Sequence, residues 1–408
     1  MSWAECTLGD VLRVKHGFAF KSAHFEDEGP YVVLTPGNFF ESGGFRSRMG
    51  KDRSYSGEIP NGYILNEGDV VIAMTEQGPG LLGSSAVIPE GARYLHNQRI
   101  GLINQIDETK ADRKFLYYLF NTRGVRGQVN GSATGTKVRH TAPERIYRVN
   151  VSLPSVDEQK KIAATLTAYD DLIENNRRRI ALLEEAARLL YREWFVHFRF
   201  PGHEHVKIID GVPEGWEQKI FADVCDTIGG GTPSTKVPEY WADADVTWIT
   251  PTDITRNNCL ALLDGEKKIS QAGLKKSSAK LVPAYTILMT SRASVGFFGI
   301  IDREVCTNQG FINIIPHEEV LRYYLLFNLI HRVEEIRAHA GGSTYAEISK
   351  SKFRALPATI PTNELLVDFD ERVRPILDQV RRLKKQMEAL AQARDLLLPR
   401  LMDGRLEV

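Results

Sequence analysis

The chain says much the same thing twice, and each copy closes on a long helix of heptad spacing. That arrangement restricts the fold more than any single motif. Residues 1–200 and 214–408 each read as a mixed α/β segment followed by a helix. Tyr117-Tyr118-Leu119-Phe120-Asn121 answers Tyr323-Tyr324-Leu325-Leu326-Phe327-Asn328, and Asn97-Gln98 answers Asn308-Gln309, each just ahead of an apolar strand. Leu153-Pro154-Ser155 opens the first helix and Ile360-Pro361-Thr362 the second. In the first helix Leu166, Tyr169, Ile173, Asn176, Ile180, Leu183, Ala187, Leu190 and Trp194 advance by alternating three and four residues, the step of a coiled-coil seam. The second helix repeats it with Val373, Ile376, Val380, Leu383, Met387, Leu390, Arg394, Leu397 and Leu401. Asn176 is the one clearly polar seam position of the first helix, of the kind that fixes register. Pro375 removes one helical hydrogen bond and predicts a kink, with the regular part of the second helix beginning near it. Two such helices in one chain pair most simply with each other, antiparallel. From Leu166 to Trp194 a rise of ~1.5 Å per residue gives roughly 40 Å, the length of about a dozen base pairs of B-DNA.

Short apolar runs punctuated by Gly, Pro and Asn predict strands over Tyr31–Leu34, Val70–Met74, Ala86–Ile88 and Ile100–Ile103, then over Val246–Ile249, Thr286–Met289, Phe297–Ile301 and Phe311–Ile315. A helix ends each set, at Arg113–Asn121 and at Leu321–Arg337. The expected fold is α+β: sheet-rich domains over residues 1–152 and 201–359, helices over 153–200 and 360–408, and an internal pseudo-twofold repeat. Gly131–Thr136 and Gly341–Thr344 follow as small-residue loops. They could offer N–H groups to phosphate, but ordinary turn chemistry is the simpler reading.

Composition narrows the function by exclusion. Formal net charge is zero, unlike the usual basic DNA-binding domain. Yet residues 44–54, 123–148 and 266–280 carry local charges of +3, +5 and +4, and basic loops in both copies could face phosphates. The four cysteines are scattered, without metal-ligand spacing, and read as reduced thiols of a cytoplasmic protein. No apolar run approaches a membrane span, and the start has no signal-peptide pattern. No metal site is expected. Gly229–Ser234 is not a phosphate-binding loop of Walker type; it reads as a tight turn before a strand. There is no Rossmann fingerprint, no HExxH and no base-flipping methyltransferase motif. Pro154 with Asp157-Glu158-Gln159-Lys160 only mimics a nuclease signature and is read as capping charge at a helix start. No catalytic residue is nominated.

Several strings, in order along nearly the whole chain, resemble the specificity (S) subunits of type I restriction–modification systems. They include Gly17-Phe18-Ala19-Phe20-Lys21-Ser22, Gly68-Asp69-Val70-Val71-Ile72-Ala73-Met74 and Asn97-Gln98-Arg99 in the first copy. The second copy has Gly230-Gly231-Thr232-Pro233-Ser234, Trp248-Ile249-Thr250, Ser291-Arg292-Ala293 and Thr307-Asn308-Gln309-Gly310-Phe311. The second helix departs from the pattern, with Glu364-Leu365-Leu366 where Glu-Gln is expected. The resemblance implies two target recognition domains, each reading half of a bipartite asymmetric DNA site. The helices would set the gap and dock two methyltransferase (M) subunits, and restriction (R) subunits would complete the complex. No cofactor is expected on this chain; S-adenosylmethionine, ATP and magnesium would belong to the partners. Residue type and loop position nominate Lys21, Arg46, Gln77, Lys137 and Arg139 as DNA contacts in the first copy. Thr232, Ser234, Lys236, Arg256, Arg292 and Tyr345 are nominated in the second. For Asn97-Gln98 and Asn308-Gln309, structural hydrogen bonding stands beside base reading. A coiled-coil scaffold binding protein or glycan ligands is the alternative: overall neutrality favours it and the basic loops oppose it. A self-sufficient methyltransferase ranks third, opposed by the missing motifs.

Overall fold

Val70–Ala73 is buried at every position, and its side chains alternate between two cores, as strand geometry requires. Val70 and Ile72 join Leu116, Phe120 and Val125 on the helical side. Val71 and Ala73 join Leu34, Phe39 and Ile88 on the other. A strand covered on both faces must be continuously apolar, which is why the sequence shows runs here rather than alternation. In the computed structural model, which describes residues 3–48, 52–78, 80–89, 91, 93–341 and 346–407, this strand lies inside an antiparallel sheet. The sheet order is Arg13–His16, Ile100–Asn104, Val70–Ala73, Ser85–Val87.

The second copy repeats the scheme: Cys225–Gly229, Phe311–Pro316, Ile287–Thr290, Phe298–Ile300. Ile287 and Met289 face one core, Leu288 another. Each copy also has a smaller mixed sheet containing a parallel pair, Val32–Val33 with Tyr94–Leu95 and Val246–Ile249 with Val305–Thr307. A two-stranded ladder ties the start of each copy to the segment leading into its long helix: Ala4–Thr7 with Asn150–Leu153, and Glu217–Ile220 with Pro357–Ile360. All eight expected strands are present, with ends shifted by a residue or two. Arg113–Phe120 is helical as expected, and the expected Leu321–Arg337 helix is divided into Leu321–His331 and Val333–Ala338.

The first long helix spans Val156–Tyr191 and ends in a π-helical turn over Arg192–Val196. The second spans Asn363–Met402, so it begins well before Pro375 and continues through it. The expected late start is thereby corrected. Pro375 is on the exposed face of the helix, where the Glu371 carbonyl it leaves without a helical donor can be hydrated. Two compact units result, one of residues 1–171 and 390–408, the other of 172–389, so each long helix contributes to both. Leu166, Ile173, Asn176, Ile180, Val380 and Leu383 are buried, and Tyr169, Leu183, Leu190, Met387, Leu390 and Leu397 are half-buried. The pairing is antiparallel: Asp170 meets Arg394 at 2.6 Å in the first unit, and Trp194 packs on Phe369 at 6.0 Å in the second. No described helix is long and apolar enough to cross a membrane.

Candidate nucleic-acid interface

In the first unit a buried carboxylate organises the exposed loops. Glu76, only 2% exposed, follows the apolar strand Val70–Ala73 and is drawn inward by three backbone donors. Its Oε2 accepts from the N–H groups of Gly80, Leu81 and Leu82 at 3.1, 3.0 and 2.9 Å. Its Oε1 faces Arg139 Nη1 at 3.2 Å, and the same nitrogen donates to Asn130 Oδ1 at 3.1 Å. Arg126 closes the loop from the carbonyl side, donating to Leu82 and Glu41 at 3.0 Å each and to Gly80. Burial lowers the Arg126 pKa, and Glu76 and Glu41 oppose that shift. The result joins the loops that carry Arg46, Gln77 and Lys137, all exposed. Arg46 lies over the Phe40 ring at 5.8 Å. Arg139 has its guanidinium engaged by Glu76 and Asn130, which makes it part of the clamp rather than a free reader. Lys21 stands at the position before the short helix Ser22–His24 without a side-chain capping bond, and none of the clamp's hydrogen bonds reaches it.

In the second unit the sequence Asn308-Gln309-Gly310 is the junction. A side chain on Gly230 would lie 1.9 Å from the Asn308 carbonyl oxygen, and one on Gly231 2.2 Å from that of Ser278. Only glycine allows these approaches. Gly229–Ser234 is therefore the exit of the strand Cys225–Gly229 and not a turn before a strand, which corrects that expectation. Thr232 Oγ1 donates to Gln309 Oε1, and Ser234 accepts the Trp241 indole N–H at 3.1 Å through its carbonyl. Lys236, in the same loop, is exposed. Ser291 N–H donates to the Gly310 carbonyl at 2.7 Å, which brings the loop of Arg292 to this junction. Arg292 pairs with Glu347 at 3.7 Å and Arg256 with Glu266 at 3.5 Å. Both pairs are exposed, and such pairs contribute only ~0–1 kcal/mol, so either arginine can exchange its partner for a phosphate. Tyr345, like residues 342–344 of the small-residue loop, lies outside the described residues.

The Asn residues of the two Asn-Gln pairs are structural. Asn97 Oδ1 accepts from Arg99 N–H at 3.1 Å and Asn308 Oδ1 from Gly310 N–H at 2.8 Å, the same two-residue turn in each copy. A second shared device escaped the sequence reading: Thr35 and Thr250 each receive an acceptor three residues on, Asn38 at 3.0 Å and Asp253 at 2.7 Å. The shared Thr-Pro of Thr35-Pro36 and Thr250-Pro251 was the available signal. Glu76 was missed because its partners at 80–82 and 139 follow no sequence period. Among the described residues no group of three or more His, Cys, Asp or Glu could hold a metal ion. What the surfaces offer is amide, hydroxyl and guanidinium donors, which suit phosphate oxygens and base edges.

A family model described as the type I restriction modification DNA specificity domain matches residues 1–185 and again 213–391. The MjaIX specificity subunit of Methanocaldococcus jannaschii is 34% identical over 203 residues, which cover 48% of this chain and 46% of that subunit. The HindI specificity subunit of Haemophilus influenzae is 25% identical, with 99% of each chain covered. Among solved structures, the type I restriction–modification S subunit from M. genitalium superposes with a TM-score of 0.61 at 14% identity, covering 98% of this chain and 96% of that one, and so shares the fold. With both copies of its repeat matched, the chain belongs to the type I restriction modification DNA specificity domain family.

Proposed function

We propose that this chain is the DNA-recognition subunit of a type I restriction–modification enzyme and has no catalytic activity of its own. Each α/β region reads one half of a bipartite asymmetric site in double-stranded DNA. The antiparallel long helices set the spacing and dock two methyltransferase subunits, and restriction subunits join the full complex. S-adenosylmethionine, ATP and magnesium act in those partners, in the cytoplasm. The observation that carries this reading is the family match to both halves of the repeat, residues 1–185 and 213–391. The exposed Arg, Lys, Gln and Ser/Thr loops support it chemically. Lys21, Arg46, Gln77 and Lys137 in the first unit, and Thr232, Ser234, Lys236, Arg256 and Arg292 in the second, are the proposed contacts.

The test is methylome sequencing of a host expressing this chain with its methyltransferase subunit. The expected result is one bipartite motif, its two specified halves separated by a fixed unspecified gap, methylated only when both chains are present. Methylation that does not depend on this chain, or a motif without a gap, overturns the reading.

A further inference from the structure

The two copies share their sheets and their Asn turns but differ at one hairpin. In the first unit the bond that closes it runs from Gly83 N–H to the Ala73 carbonyl, ten residues apart; in the second, from Gly296 N–H to the Thr290 carbonyl, six apart. The second hairpin closes with its own Thr290 hydroxyl, which accepts from Phe297 N–H at 2.9 Å. The longer one needs an internal anchor, and Glu76 supplies it through three backbone bonds and Arg139. Arg126 grips the carbonyls of the same loop. A buried carboxylate with two arginines is an elaborate way to hold a surface loop if shape alone were needed. It fits a loop that must keep one conformation before a partner arrives, because ordering it on binding would cost affinity. The residue next to the anchor, Gln77, is exposed, and a glutamine amide matches the adenine edge in the major groove, donating to N7 and accepting from N6.

We propose that Glu76, braced by Arg126 and Arg139, is the positioning residue of a base-reading hairpin peculiar to the first unit, and that Gln77 reads an adenine from it. This rests on the DNA-recognition reading above. The test uses the full chain co-expressed with its methyltransferase subunit, comparing wild type, Gln77→Ala and Glu76→Gln by methylome sequencing, with thermal melting of each purified chain. Gln77→Ala melts as wild type and relaxes discrimination at one adenine of one half-site by about tenfold, the other half-site staying as strict as before. Glu76→Gln relaxes the same base position. An unchanged motif in Gln77→Ala overturns the proposal. So does an even loss of methylation in Glu76→Gln with both half-sites equally strict, since that is the signature of a purely structural carboxylate. If wild type directs no bipartite methylation, the functional reading itself has failed, and that is seen before any substitution is compared.

Discussion

Glycine at 17 and at 230 carries the same constraint in the two copies: a Cβ at either position would stand 1.9 Å from the carbonyl oxygen of Asn97 or Asn308. Just before those asparagines the copies diverge. Thr307 accepts a hydrogen bond from Asn313 at 2.8 Å, whereas the matching residue, His96, is fully buried, bonds the Ile100 carbonyl through Nε2 at 2.9 Å and has no partner for Nδ1 among the described residues. Burial, aided by nearby Lys15 and His16 and opposed by the Ile100 carbonyl, pushes its pKa down to about 4. The unfolded imidazole binds its proton near pH 6.5, so between about pH 6.5 and 4 the unfolded state holds more protons than the native one. Stability from a neutral His96 is therefore present above pH 6.5 and lost as pH falls toward 4, by up to about 3 kcal/mol. Denaturant titrations across that window should show the slope, and His96→Gln should flatten it; an equal slope in the variant would remove His96 as the cause. At Arg292, whose exposed pair with Glu347 contributes little, substitution by alanine should leave melting unchanged and relax one half-site only. Methylome sequencing with both halves unaltered would exclude Arg292 as a contact.

The long helices were the most legible elements, because an apolar step of three and four repeats whatever surrounds it. Their junctions with the domains were less so. Gln159 is fully buried at the start of the first helix and makes three bonds, accepting from Asp112 N–H and donating to the Lys110 and Pro154 carbonyls. In the second helix Leu366 stands at the corresponding place, buried in the apolar core, which accounts for the departure from Glu-Gln there. Helix Arg123–Gly131 was not foreseen, since Gly124, Gly127 and Gly131 are poor helix formers; its Thr122 cap and the burial of Val125 and Val129 outweigh them. Within the first unit Asp170 binds Arg394 Nη1 and Tyr118 OH, both at 2.6 Å. Burial, reinforced by Asp170, holds the Tyr118 phenol well above the ordinary tyrosine range. Asp170→Ala removes the acceptor they share, leaving Tyr118 OH with Thr167 Oγ1 at 3.3 Å and Arg394 with Asp395, and should cost about 1–2 kcal/mol in urea unfolding. A double-mutant cycle with Arg394→Ala should return a coupling of about 1 kcal/mol or more; additive effects would show that the pair contributes nothing.

At the level of the whole chain, the duplication makes one further expectation. If the paired helices set the gap, adding a heptad to each at facing seam positions preserves the seam, since ~3.5 residues per turn returns the same face after seven, and lengthens each helix by about 10 Å. The methylated motif should then gain unspecified base pairs between unchanged halves, and an unaltered gap would sink the ruler. The repeat, the paired helices and the eight main strands could be read from the residues alone, because each rests on local periodicity or on text repeated along the chain. The surface that differs between the copies could not. Glu76, its three backbone donors and two arginines come from segments 4 to 63 residues away, and a buried carboxylate is favourable only once all of them have been brought around it. That convergence exists only in the folded unit.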